Sequence, residues 1–108
     1  KDGYLTTWRT IDPANPPAEW VEVKNGERWE SLFMSHELYN AGHLFEAAVV
    51  HYRATGRRNF LDIAIKNADL MVETFGDGEG KISAVPGHQI IETGLIKLYQ
   101  VTGKNIWI

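Results

Sequence analysis

Between His36 and Thr55 there is no proline and a single glycine, Gly42. Apolar residues recur there with a helical period, so that Leu38, Ala41, Phe45, Ala48, Val49 and Tyr52 share one face. The pattern predicts a helix over 36–55, about five turns long. Its opposite face carries His36, Asn40, His43, Ala47, Val50 and His51, with no Lys, Arg, Asp or Glu among them. An ordinary surface helix would be charged there, so this one is expected to be enclosed on both sides. The stretch 58–75 is one-faced: Phe60, Leu61, Ala64, Ala68, Met71, Val72 and Phe75 form a stripe, with Asp62, Lys66, Asp69 and Glu73 opposite. Over 88–102 the first character returns, with Ile90, Ile91, Leu95, Ile96, Leu98, Tyr99 and Val101 crowding a helix whose only charges are Glu92 and Lys97. Gly56 and Gly76 are expected to end the first two helices as left-handed caps. Gly94 is expected to allow close helix approach.

The order inner, outer, inner is that of a double ring of helices around a central cavity. An open superhelical array of hairpins would show the same local pattern. A repeat supports either: Tyr52-Arg53-Ala54-Thr55-Gly56 through Phe60-Leu61 aligns with Tyr99-Gln100-Val101-Thr102-Gly103 through Trp107-Ile108 at an offset of 47. By that alignment 104–108 begins a further outer helix, and the chain is expected to be about one and a half repeats of a larger domain. The lead-in 1–35 holds Pro13, Pro16, Pro17 and three of the four Trp. It is expected to be an extended loop with short strands or turns, wrapping over helices outside this segment. The segment 76–87 reads as a mobile linker. Its G-x-G-x-G spacing follows a helix rather than a strand, so a dinucleotide-binding reading fails.

Composition narrows the classes. At 108 residues the chain is one small folded domain or part of one, 44% apolar and 23% charged, with a net charge of −3 and the signs interspersed. A nucleic-acid footprint or a polybasic membrane patch needs clustered positive charge, which is absent. The longest apolar run, Ala47 to Val50, is far below the ~20 residues of a membrane span. No cysteine is present, so disulfides, thiolate metal sites and cysteine nucleophiles are excluded within these residues.

The histidines carry the candidate chemistry. His36 and His88 each stand at the N-terminal edge of an inner helix, 52 residues apart. Consecutive inner helices run the same way, so both imidazoles are expected at one mouth of the cavity, beside two positive dipole ends. Such a site favours neutral imidazoles and suits hydrogen bonding to sugar hydroxyls or other oxygen-rich ligands. Asn40 and His43 continue the stripe inward. The competing role for all four is that of satisfied interior polar groups tying the ring together. A local zinc site fails on spacing: His36 and His43 are seven residues apart, a rise of about 10.5 Å. Glu37 serves either as a general acid or base or as the first-turn carboxylate that complements a helix dipole. Trp8, Trp20, Trp29 and Trp107 could stack on sugar faces or fill core, and Ser35 is placed to cap the 36–55 helix.

Arg28-Trp29, Leu32, the run His36-Glu37-Leu38-Tyr39-Asn40-Ala41-Gly42-His43-Leu44 and Glu46-Ala47-Ala48 resemble glycoside hydrolase family 127 and its relatives. So do Asp2-Gly3-Tyr4-Leu5, Thr55-Gly56, Asp62-Ile63-Ala64, Ala68-Asp69, Phe75-Gly76 and Pro86-Gly87-His88 with Glu92, in order along nearly the whole chain. The resemblance implies an all-α segment of an (α/α)6 toroid, with the irregular lead-in ahead of it. It also implies a retaining hydrolase of terminal β-L-arabinofuranosides or related pentosides, with a zinc-bound cysteine nucleophile and a glutamate acid/base lying beyond the equivalent of Ile108. In that family His36 and His88 correspond to histidines that bond arabinofuranose hydroxyls. His43, Asn40 and Glu37 complete the expected substrate-binding set, and this segment supplies no catalytic residue and no metal ligand. The expected partners are a carbohydrate and the remainder of the same catalytic domain. Two other classes are weighed against this: a helical-repeat module that binds a peptide or protein on its concave face, and a different toroid enzyme. The latter typically deploys aspartates from inner helices, and the inner stripe here has none.

Overall fold

A computed structural model describes residues 1–108 and is all-helical. Two short helices, α1 (Thr7–Ile11) and α2 (Leu32–Ser35), precede three longer ones: α3 (Glu37–Thr55), α4 (Asn59–Thr74) and α5 (Ile90–Thr102). A 3-10 turn over Asn105–Trp107 follows. No helix is long and apolar enough to cross a membrane.

The face expected to be apolar in α3 is the buried one. Leu38, Ala41, Phe45, Ala48 and Val49 join Leu61, Ala64, Ala68 and Met71 of α4, Ile91 and Leu98 of α5, and Trp107 in one continuous core. α4 returns antiparallel along α3 after the three-residue turn 56–58: His51 meets Phe60 near the turn, while Leu38 lies with Met71, Val72 and Phe75 at the far end. α5 runs parallel to α3, since His36 meets His88, Gly42 meets Ile90, Ile91 and Gly94, and Glu46 meets Lys97. The approach is backbone to backbone. A Cβ on Gly42 would lie 2.6 Å from the Ile90 carbonyl oxygen, and one on Gly94 would lie 2.7 Å from that of Gly42. Only glycine fits at either place.

The 47-residue repeat reappears in hydrogen bonding. Gly56 (φ 70°) donates its N–H to Tyr52 O at 2.8 Å, and Gly103 (φ 71°) donates to Tyr99 O at 2.7 Å. Thr55 Oγ1 donates to His51 O and accepts from Arg57 N, just as Thr102 Oγ1 donates to Leu98 O and accepts from Lys104 N. After Gly103 the chain forms a 3-10 turn rather than the start of an α-helix. Trp107 is buried, and its Nε1 donates to Asp69 Oδ1 of α4 at 2.9 Å.

Several expectations are corrected. The lead-in has no strands but two short helices, and it wraps over this chain's own α3 and α4. Asn67 Nδ2 donates to Gly3 O at 2.6 Å, and Trp29 stands edge-on between Tyr4 (5.1 Å) and Phe75 (5.2 Å). Ser35 does not cap α3. It ends α2, its Oγ is buried without a partner, and His36 occupies the cap position instead. α4 closes on an extended Phe75 at the cap position, and Gly76, with φ 138°, follows it instead of serving as the cap. The 76–87 linker is tethered where it leaves α4, because Ile82 pairs with Phe75 and Lys81 Nζ donates to Val72 O at 2.6 Å. Asn40, His43, Ala47 and Val50 on the second face of α3 are exposed within these 108 residues, and the enclosure expected of that face concerns helices of the larger domain.

Candidate functional site

The parallel register of α3 and α5 brings the N-terminal ends of both helices together, and the candidate histidines with them. The His36 and His88 rings stack with centroids 5.3 Å apart and an interplanar angle of 26°. Tyr39 lies edge-on to both, at 5.7 Å from His36 and 4.9 Å from His88, and 4.7 Å from His43 on its other side. Beyond His43, whose Nδ1 is 3.6 Å from Glu46 Oε2, Glu46 also pairs with Lys97 across the two helices. The Lys97 hydrogen bond holds the Glu46 carboxyl below its ordinary value.

His36 has φ 56° and ψ 24°, a left-handed backbone for a residue with a Cβ. That conformation costs roughly 1–3 kcal/mol and persists only where surrounding contacts determine it. Its Nδ1 lies 2.8 Å from Met34 O. A carbonyl only accepts, so Nδ1 carries the proton, which leaves Nε2 as the ring's acceptor in the tautomer this contact selects. The cluster therefore offers an imidazole acceptor, a second imidazole, a phenol and aromatic faces, with Glu46 at its far edge. This is hydrogen-bonding chemistry suited to a neutral, hydroxyl-rich ligand rather than to an ion.

The other candidates lie elsewhere. Asn40 turns toward a separate cavity of about 270 Å³ between the lead-in, α3 and α4, whose lining includes Tyr4, Trp8, Trp29, Glu37 and Asn67. Glu37 is 4% exposed, and both of its oxygens are engaged: Arg9 Nε donates to Oε1 at 2.7 Å and Tyr4 Oη donates to Oε2 at 3.0 Å. No carboxylate oxygen is left for a ligand. Burial, reinforced by the Glu37 carboxylate, pushes the Tyr4 phenol up to about 12. Trp29 anchors the lead-in, Trp107 fills core, and Trp20 is exposed. Tyr39 is the member that the sequence reading passed over. Its spacing held the signal, three residues after His36 and four before His43, which places it beside both on a helix. These residues do not fit a zinc site: no group of three His, Cys, Asp or Glu side chains converges, and there is no cysteine to supply a thiolate.

One helical hairpin, α3 and α4, followed by α5 parallel to α3, thus places two stacked imidazoles at a shared N-terminal end. The comparisons carry this to a family. The model of the β-L-arabinofuranosidase GH127 catalytic domain matches residues 1–108, and the chain belongs to that family. It is 38% identical over 107 residues to a non-reducing end β-L-arabinofuranosidase of Bifidobacterium longum, covering 99% of this chain and 15% of that protein. It also resembles the crystal structure of a GH127 β-L-arabinofuranosidase from Geobacillus stearothermophilus T6, with a TM-score of 0.84 and 50% identity over 98% of this chain and 15% of that one. A second solved GH127 β-arabinofuranosidase gives a TM-score of 0.86 at 50% identity, over 98% of this chain and 16% of its own. The chain thus spans about 15% of the length of these relatives.

Proposed function

We propose that the protein carrying this chain is a retaining glycoside hydrolase that acts on terminal β-L-arabinofuranosides or related pentosides. Its catalytic domain is an (α/α)6 toroid in which α3 and α5 belong to the inner ring and α4 to the outer. The observation that carries this reading is the stacked His36–His88 pair, in a chain of the GH127 catalytic-domain family. The pair forms one wall of the sugar pocket. His36 accepts a hydroxyl proton on Nε2, His88 bonds a neighbouring hydroxyl, and Tyr39 backs both rings. His43 supports that wall from the flank through Tyr39. The zinc and cysteine nucleophile that the family resemblance implies would lie outside this chain, the metal there favouring the cysteine's thiolate form. Glu46 and Lys97, paired to each other, leave the wall uncharged, in keeping with a neutral sugar.

The test is made in the full-length protein with a chromogenic β-L-arabinofuranoside. His36→Ala and His88→Ala should each cost about 1–3 kcal/mol of transition-state binding, read as a fall in kcat/KM. Unchanged kcat/KM in both variants would remove the assignment.

A further inference from the structure

His36 is the single residue between α2, which ends at Ser35, and α3, which begins at Glu37. Its left-handed backbone makes it the corner at which the chain turns from one helix into the next. One guanidinium spans that corner. Arg9, in α1, points Nε at Glu37 Oε1 (2.7 Å), just after the corner, and Nη1 at Glu30 Oε2 (3.5 Å), just before α2. The side chains of Arg9 and Glu37 are each 1% exposed and that of Glu30 is 7% exposed, so the clamp is out of water. Tyr4 closes it by donating to the remaining Glu37 oxygen. None of these groups reaches the stacked imidazoles. What they hold is the backbone on either side of one of them.

We propose that Arg9, with Glu37 and Tyr4, is a positioning clamp that holds the His36 corner in its left-handed form and so presents the His36 imidazole to the sugar. The inference rests on the functional reading above and extends it to residues that touch no substrate. Arg9 suits the task because a planar guanidinium engages two carboxylates at fixed angles, which a lysine ammonium does not. The ion pair links residues 28 positions apart, tying the otherwise irregular lead-in to the site.

The experiment is a double-mutant cycle on kcat/KM in the full-length protein, with thermal melting of every variant. Glu37→Gln keeps the shape of the side chain and removes its charge, Tyr4→Phe removes one hydrogen bond, and His36→Ala removes the imidazole being positioned. Glu37→Gln should lower kcat/KM by about tenfold in the native background, mostly through KM, and Tyr4→Phe by less. In the His36→Ala background neither change should lower it further. The Asn40 amide, which donates to His36 O at 2.8 Å, should exchange its hydrogen faster in Glu37→Gln and Tyr4→Phe than in the native protein. Equal losses with and without His36, or unaltered Asn40 exchange, would overturn the clamp. Should Glu37→Gln fail to fold, Tyr4→Phe carries the same two readouts. If His36→Ala and His88→Ala both leave kcat/KM unchanged, the sugar-binding reading falls, while amide exchange still decides whether the corner is clamped.

Discussion

α3 is held on its two flanks by opposite means. Against α5 the closest approach is set by an absence of side chains: Gly42 and Gly94 let the backbones touch, with Ile91 and Leu98 buried in the shared core, and His36, Tyr39, His43 and His88 near that contact stay accessible. Against α4 and the lead-in it is held by volume and buried charge, with Phe45, Leu61, Ala64, Ala68 and Met71 filling the gap and the Arg9–Glu37 pair sealing its end. A flank built on backbone contact sets a distance, since nothing can be compressed further. A flank built on side chains sets stability, through the apolar area it removes from water. The spacing of the imidazoles belongs to the first and the resistance to unfolding to the second.

The largest way to break this division is on the α4 side. Arg9→Met leaves Glu37 buried with only a phenol for company, and should cost about 3–5 kcal/mol in denaturant unfolding of the full-length protein. Adding Glu37→Met should return most of that loss, because an uncompensated charge and not a missing contact is the cause. On the α5 side, Gly42→Ala or Gly94→Ala drives a methyl to within 2.7 Å of a carbonyl oxygen or closer, so the helices must part. The expected cost is about 1–3 kcal/mol in stability, and kcat/KM should fall more than in any α4-side variant of equal stability. A Gly42→Ala protein with native kinetics would show that imidazole spacing is set elsewhere.

Smaller effects sharpen the contrast. Trp107→Phe keeps most of the packing against α4 but loses the donor to Asp69, and a loss of about 1 kcal/mol in unfolding free energy should follow. The Glu46–Lys97 pair, which links α3 to α5, is part-exposed and should contribute at most about 0.5 kcal/mol. Because the Glu46 carboxyl is held below its ordinary 4.5, that contribution is present above pH 4.5 and fades as pH falls through the lowered value. Urea titrations of native protein and Lys97→Met across pH 3–7 should converge at the acid end; parallel curves would assign the pair no role.

The helices were legible because their information is local. Periodicity alone placed Leu38, Ala41, Phe45, Ala48, Val49 and Tyr52 on one face; the first five are buried and Tyr52 is half-buried against them. Of the two glycine caps expected, Gly56 takes the left-handed form while α4 closes on Phe75, and the Gly103 end of the aligned Tyr-x-x-Thr-Gly copy matches Gly56. The alternation of inner and outer helices predicted that α3 and α5 run parallel, which is why His36 and His88, 52 residues apart, meet at one end. The lead-in was illegible because it has no period. Its path over α3 and α4 rests on single polar contacts, such as Asn67 with Gly3, 64 residues apart, which leave no trace in spacing. Glu37 and Asn40 sit on the same helix as the histidines, yet a turn of about 100° per residue sends Glu37 toward Arg9 and Asn40 toward the second cavity.

What the amino-acid order determined by itself is which stretches become helices, which faces they bury and which end of each carries an imidazole, because those depend on neighbours three and four residues away. Tertiary structure alone decided how closely α3 and α5 approach, which carboxylates Arg9 joins and how His36 is bent into its corner. Those outcomes turn on steric fit and on the partners left for buried charges once distant segments have met.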